Sequence, residues 1–407
     1  MKIVIAGAGP AGATVAETLR ERGDGADIVM VSREPYPPYS PPAMLEYFST
    51  GREVHFWKGK DFTERLGLDY RPGTEVEAVN PSEKTVRLSN GETHLYDRLV
   101  LATGGRLYAP LEGETKPGVY NFKSLSAAEE LMQRVRDGTA RRALIVGAGF
   151  IGVEIGLLLA DMGLEVTQLV RSRVMRTMLD PETAQIVLGL MEQRGVKMLG
   201  GNDADAVAFV GEPRALAVRT RSGQDLEADL LVAATGIRPN IDFLAGSGIE
   251  TDWGVLVDDH LRANVPDVYA AGDTAQTTSR LTGERMVIPN YPNAEAQGRV
   301  VAHNLLGLDA AYEGADAMNS LKHLGVPLIA AGQMAGEELR VKRGDNLRKL
   351  HIKDGCIVGF RLYGDISAAG VLRSLMNRRV NVSSFKTRLL EPGFGLGYLQ
   401  GLAPSNL

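Results

Sequence analysis

Apolar and polar positions follow two rhythms along this chain. Residues 1–35 open on an apolar run, KIVIAG, pass a glycine turn into ATVAETLRERG with apolar residues three and four apart, and close on ADIVMVS. That order predicts strand, helix, strand, the βαβ unit of parallel sheets. Residues 141–170, RRALIVGAGFIGVEIGLLLADMGLEVTQLV, repeat the pattern. Two units so far apart imply two domains rather than a solenoid, whose repeats run about 20–50 residues. From about residue 319 the rhythm shortens. There LRKLHIKDGCIVGFRLYGD predicts a hairpin turning at Asp354 and Gly355, within a smaller module. The expected fold is α/β: two Rossmann-like dinucleotide-binding domains plus a smaller α+β C-terminal domain. The expected boundaries are 1–108 with 242–316 for a discontinuous first domain, 109–241 for the second, and 317–407 for the third.

Composition narrows the chemistry. The chain has 407 residues, enough for two or three cores, and 47 glycines, which implies many tight turns or close backbone approaches. No apolar run reaches the roughly 18–20 residues of a membrane span, and the N-terminus enters a strand without a cleavage pattern. A cytoplasmic protein is expected. One cysteine, Cys356, allows no internal disulfide and builds no zinc or iron–sulfur site by itself, so redox chemistry must reside in a bound cofactor. Net charge of -5 gives no reason to expect nucleic acid. From Met318 onward, however, 13 Lys/Arg stand against 6 Asp/Glu, a basic module on an acidic body. The six histidines are scattered without metal-ligand spacing, and no metal site is expected.

Gly7, Gly9 and Gly12 form G-x-G-x-x-G directly after the first strand, in GAGPAG with Pro10 and Ala11. The first glycine permits the turn, the second admits a pyrophosphate, and the third lets helix and strand pack. Glu34, 22 residues past Gly12, is placed to accept hydrogen bonds from ribose hydroxyls. Gly147, Gly149 and Gly152, with Phe150 and Ile151 between them, repeat the fingerprint, but its second strand ends in Val170, Arg171, Arg173 and Arg176 instead of an acid. A 2′-phosphate wants cations, so this stretch points to NADP(H), whereas glycine at position 152 is more usual for NAD; the choice stays open. Ala102-Thr103-Gly104 and the Ala-Thr-Gly ending at Gly236 each follow an apolar strand, where small residues let the chain cross a nucleotide closely. In VPDVYAAGDTA, residues 265–275, Gly272 and Asp273 end another strand, with Asp273 placed for a ribityl chain.

Together GAGPAG, ATGG, GAGFIGVE, ATGIRPN and AAGD, in that order, resemble the pyridine-nucleotide-disulfide oxidoreductase superfamily over the whole chain. EPYPPYSPP, PNAEAQGRVVAHNLLG and GDISAAGVLRSL resemble the branch of rubredoxin reductase, ferredoxin reductases and the flavin segment of nitrite reductase. The resemblance implies FAD on the first fingerprint and NAD(P)(H) on the second. It also implies Glu34 at the adenosine ribose, Val76 at the adenine, Asp273 at the ribityl chain, Asn293 and Gln297 near the ring, and Glu154 orienting the nicotinamide. Relatives with a redox cysteine carry it in wording close to YSPCG. Here the loop reads Tyr39-Ser40-Pro41-Pro42-Ala43, with Pro42 at the cysteine and Ser40 beside it, so Ser40 and Pro42 are expected against the flavin without a thiol. Pro41 also stands where the ferredoxin-reductase branch has an arginine for the FAD phosphates, and Leu45 and Glu46 where it has a lysine near N5.

Without a dithiol, electrons leave the flavin directly. The expected function is FAD-dependent exchange of electrons between NAD(P)H and an electron-transfer protein, or the iron–sulfur or metal-containing subunits of a larger complex, in a chain that could oligomerise. The alternatives are a standalone NAD(P)H oxidase, a non-catalytic FAD- and NAD-binding interaction protein, and a flavin monooxygenase.

Overall fold

The computed structural model describes residues 1–55, 57–321 and 323–399. They gather into two compact units. The first comprises Met1–Tyr108, Asn121–Gln133 and Ile237–Ala315; the second comprises Ala109–Tyr120, Arg134–Gly236 and the chain from Asp316 onward.

In the first unit, strand β1 (Lys2–Ala6), helix α1 (Pro10–Glu21) and strand β2 (Asp27–Val31) realise the expected βαβ unit. β1 pairs in parallel with β2, Ile3 facing Ile28, and with Arg98–Leu101 on its other side. Val268–Ala270 and Asp69–Arg71 close the five-stranded sheet at its edges. Ile3, Val4, Ile5 and Ala6 have no exposed surface, as a central parallel strand covered on both faces requires. Helix Tyr291–Leu305 packs on α1, and the approach is close enough that a Cβ at Gly298 would lie 2.6 Å from the Ala11 carbonyl.

The second unit repeats the design with strand β3 (Arg142–Val146), helix α2 (Phe150–Asp161) and strand β4 (Glu165–Val170), followed by helix α3 (Pro181–Gln193). Its parallel sheet runs Val196–Gly200, β4, β3, Leu230–Ala233, Val119–Tyr120. The same unit includes an antiparallel five-stranded sheet in the order Met318–Leu321, Leu328–Gly332, β6, β5, Glu337–Arg343, with β5 at Asn346–Lys353 and β6 at Cys356–Tyr363. The expected hairpin is present: Asp354 and Gly355 take φ of 52° and 75°, the left-handed values of a tight two-residue turn.

On these two strands part of the basic module is buried. Leu347 through Ile352 are all buried, including Arg348, Lys349 and His351, and Arg361 opposite Lys349 is 1% exposed. Residues 178–182 meet one face of the hairpin, where Asp180 pairs with Lys349 and the Met178 carbonyl accepts from Arg361. Among the described residues no helix is long and apolar enough to cross a membrane, and no group of His, Cys, Asp or Glu has the arrangement of a metal site.

Candidate cofactor-binding sites

The two fingerprints fold alike, and in each the three glycines have separate duties. Gly7 has φ of 117°, and a Cβ there would lie 2.0 Å from the Ala102 carbonyl oxygen; one at Gly12 would lie 2.0 Å from the Gly7 oxygen. In the second unit Gly147, at φ of 108°, is closed off by the Ala234 oxygen at 2.5 Å, and Gly152 by the Gly147 oxygen at 2.5 Å. These four positions are glycine because backbone already fills the space. Gly9 and Gly149 differ: no heavy atom lies within 4 Å of a Cβ at either. Both are helix N-caps without a side-chain capping bond, and neither helix has an acidic residue in its first turn. Unsatisfied amide hydrogens therefore face open space at the positive end of each helix dipole, the donor set a pyrophosphate fits. Pro10 at the first helical position removes an N–H that has no partner there and presets its φ.

Around the first cradle, Thr103 Oγ1 donates to the Asn240 carbonyl at 2.7 Å, and the Gly104 amide donates to Thr274 Oγ1 at 2.9 Å. Ala102 is buried against Gly7. Gly272, at φ of 75°, has its amide held by Gln297 Oε1 at 2.7 Å. Gln297 is thus a backbone fastener for the strand end that presents Asp273. Asp273 pairs with Lys123 Nζ at 2.9 Å, both side chains largely buried. Asn293 lies in the first turn of its helix, its side-chain amide donating to the Ile288 carbonyl and its oxygen accepting from the Tyr312 hydroxyl. Val76 begins the strand Val76–Asn80, paired with Leu88.

The Glu34 carboxylate is oriented on two sides. Its Oε2 accepts from the Tyr39 hydroxyl at 2.7 Å and its Oε1 from the Ser126 amide at 2.9 Å. Tyr39 in turn accepts from the Leu125 amide at 2.9 Å, so acid and phenol together cap the helix Leu125–Arg136. Burial first, and then the Glu34 charge, push the Tyr39 hydroxyl well above its usual pKa, which keeps it a donor. The loop after Tyr39 makes a single 3₁₀ turn, Pro41–Ala43, and passes into a short helix, Met44–Thr50; Ser40 is buried and Pro42 exposed.

In the second unit Glu154 lies half-buried on α2, five residues after Gly149, with Phe150 and Ile151 half-buried before it. Gly236 is exposed at the start of the strand Gly236–Pro239. After β4 the chain makes an ordered loop: the Met175 amide donates to the Ala148 carbonyl at 2.7 Å, and Arg173 Nη2 to the Arg176 carbonyl at 3.1 Å. Arg171 and Arg176 are exposed, and Arg173 and Arg176 line a cavity of about 900 Å³ with Val170, Gln185, Leu188 and Gly200.

Sequence reasoning missed four contributors: Tyr39 and Lys123 at the first site, Thr274 beneath Gly104, and Gln168 at the second. Gln168 is fully buried on β4, its Nε2 bonded to the Gly147 carbonyl at 2.7 Å. Glycines at 152 and 156, one helical turn apart, mark the groove it fills and were the available signal. Lys123 had none, since it reaches Asp273 across 150 residues of sequence.

Residues 1–298 match the family model described as pyridine nucleotide-disulphide oxidoreductase. The chain is 28% identical to the assimilatory nitrate reductase electron transfer subunit of Bacillus subtilis over 96% of its length, while spanning about half, 51%, of that relative. It is 28% identical to the NADH-dependent phenylglyoxylate dehydrogenase subunit epsilon of Aromatoleum evansii, covering 97% of this chain and 96% of that one. The crystal structure of a ferredoxin reductase from Rhodopseudomonas palustris superposes with a TM-score of 0.85 at 26% identity, over 98% of this chain and 99% of the other. With two glycine cradles of one design and a family match over nearly three quarters of its length, the chain belongs to the pyridine nucleotide-disulphide oxidoreductase family.

Proposed function

We propose that this chain is an FAD-dependent NAD(P)H reductase that delivers electrons to an iron–sulfur or similar redox protein, as a separate partner or within a larger complex. The observation that carries it is the pair of open glycine cradles in a chain whose one cysteine lies far down the sequence from both. In this reading residues 1–108 with 242–316 hold FAD, residues 109–241 hold NAD(P)H, and residues 317–407 form the interface domain. When bound, FAD supplies the conversion between a two-electron hydride and single electrons, so one NAD(P)H reduces two one-electron acceptors and releases one proton.

The protein's own part is placement. Gly9 and the α1 N-terminus hold the pyrophosphate of FAD; Glu34 receives the adenosine ribose, with Tyr39 and the Ser126 amide fixing its carboxylate. Val76 lies at the adenine, Asp273 and Lys123 at the ribityl–phosphate stretch, and Asn293 and Gln297 toward the ring. Pro41 and Pro42 form a rigid, thiol-free wall beside Ser40. Gly149 with Phe150 and Ile151 cradles the nicotinamide cofactor, Glu154 orients its carboxamide, and Arg171, Arg173 and Arg176 receive a 2′-phosphate, which favours NADP(H). The named roles of the two relatives, an electron transfer subunit and a dehydrogenase subunit, support the larger complex. The cytoplasm, where both nicotinamide cofactors are reduced, is the compartment this reading implies.

The test is anaerobic reduction. NAD(P)H is expected to bleach the bound flavin, and steady turnover to require a one-electron iron–sulfur acceptor. Rapid turnover with dioxygen alone would select the oxidase alternative, and very slow bleaching by both nicotinamides would select the non-catalytic one.

A further inference from the structure

Arg361 is a cation buried without an acid. Its side chain is 1% exposed, and every polar atom given a partner donates to backbone: Nε to the Met178 carbonyl at 2.7 Å, Nη1 to Ala331 and Gln333, and Nη2 to Gly332, at 3.1–3.2 Å. No carboxylate lies at ion-pair distance among the described residues; Asp180 and Glu338 act on it only from farther away. Burying a guanidinium this way is unfavourable unless its geometry does something an apolar residue cannot. Three of its acceptors belong to its own sheet. The fourth, Met178, closes the loop that follows β4.

That loop bears Arg171, Arg173 and Arg176, and it is pinned at its middle and at its downstream end. Upstream, the Met175 amide is held by the Ala148 carbonyl of the glycine fingerprint, with Met175 itself at φ of 47°. Downstream, Arg361 holds the Met178 carbonyl, and two residues later Lys349 Nζ holds Asp180 Oδ1 at 2.6 Å and Glu182 Oε2 at 2.8 Å. Asp180 is meanwhile the N-cap of α3, accepting from the Glu182 and Thr183 amides. The two pins therefore bracket the exposed Arg176 and follow closely on Arg171 and Arg173. A non-glycine residue at positive φ in the middle of such a loop persists only when its surroundings over-determine it.

We infer that Arg361, seconded by Lys349, is a positioning residue for cofactor choice: from the C-terminal sheet it sets the arginine loop in the geometry that grips a 2′-phosphorylated adenosine. This rests on the proposal that those arginines receive the 2′-phosphate. The C-terminal domain is then part of the nicotinamide-specificity apparatus, not only an interface.

The experiment uses the purified, FAD-loaded protein and two probes, 2′,5′-ADP and 5′-AMP, by calorimetric titration, alongside KM and kcat for NADPH and NADH. Arg361→Met is expected to weaken 2′,5′-ADP by about ten-fold, the scale of one lost charge-assisted contact, while 5′-AMP is unchanged. KM for NADPH should rise with kcat held. A structural role alone would move both probes equally. Unchanged 2′,5′-ADP binding in Arg361→Met, with loss in Arg176→Ala, overturns this inference and leaves the arginine reading standing. No loss in Arg171→Ala/Arg176→Ala overturns the arginine reading itself. Should Arg361→Met fail to fold, Arg361→Lys and Lys349→Met carry the same test: selective loss of 2′,5′-ADP supports the inference, and equal or absent loss defeats it.

Discussion

Gly9 carries no side chain for a different reason than Gly7 and Gly12 do. At 7 and 12 a methyl group would meet a carbonyl oxygen at 2.0 Å; at 9 it would meet nothing. Gly7→Ala and Gly12→Ala are therefore expected to destabilise the fold, by about 2–4 kcal/mol where overpacking and a strained φ combine at position 7. Gly9→Ala should fold with a near-normal melting temperature and lose flavin, because the methyl occupies only the space meant for phosphate. Melting curves and the flavin-to-protein absorbance ratio of the three variants check this; equal flavin content in Gly9→Ala and wild type would contradict it. At the second site, Arg171→Ala/Arg176→Ala should weaken NADPH by about 1.5–3 kcal/mol and leave NADH nearly untouched. Steady-state kinetics with both cofactors decide it. The glycine turns were legible in the sequence because one local spacing fixes their shape. Lys123 and Thr274 were not, because each acquires its role from a partner far away in the chain, and neither was Tyr39, whose hydroxyl joins the nearby Glu34 to the distant Leu125 amide.

At the scale of elements, the βαβ units and the Asp354–Gly355 hairpin follow from period and turn chemistry, and both are present. The burial of β5 and β6 does not follow. Alternation marks one wet face, but a face lined by Lys349, His351 and Arg361 is covered when carbonyls and carboxylates of residues 178–182 meet it. The basic surplus of the C-terminal segment thus reads differently in three dimensions: Lys349 and Arg340 are bound to Asp180 and Glu182, and Arg373 to Asp316. Burial alone would raise the Asp180 carboxyl, but Lys349 and the Thr183 bonds offset it and hold the group down at about 2. Arg340 and then Lys349 hold Glu182 at about 2. Unfolded carboxyls titrate near about 4, so both groups stabilise the fold above that range, and the contribution is lost as pH falls from about 5 toward 2. The melting temperature should drop across that window, and Asp180→Asn should flatten the drop while lowering stability at neutral pH. An identical acid slope in Asp180→Asn would refute the assignment.

For the whole molecule the question is how electrons leave. Cys356 sits at the start of β6 with its thiol turned to the Arg379 carbonyl, and it is the one cysteine in the chain. Cys356→Ser is expected to keep full turnover with an iron–sulfur acceptor, and a large loss would reopen a thiol route. The burial of Lys349 and Arg361 also bears on docking. Salt should slow partner reduction only to the extent that exposed cations such as Lys342, Arg378 and Arg388 contribute. The most direct test of the account is anaerobic double-mixing: NADPH first, then oxidised rubredoxin or [2Fe–2S] ferredoxin, with flavin and iron–sulfur absorbance followed together. The account predicts bleaching by the nicotinamide and then reduction of two acceptors for each NADPH consumed, with dioxygen a far slower acceptor. A flavin that neither nicotinamide bleaches, or one that reduces dioxygen as fast as it reduces the iron–sulfur protein, would contradict it.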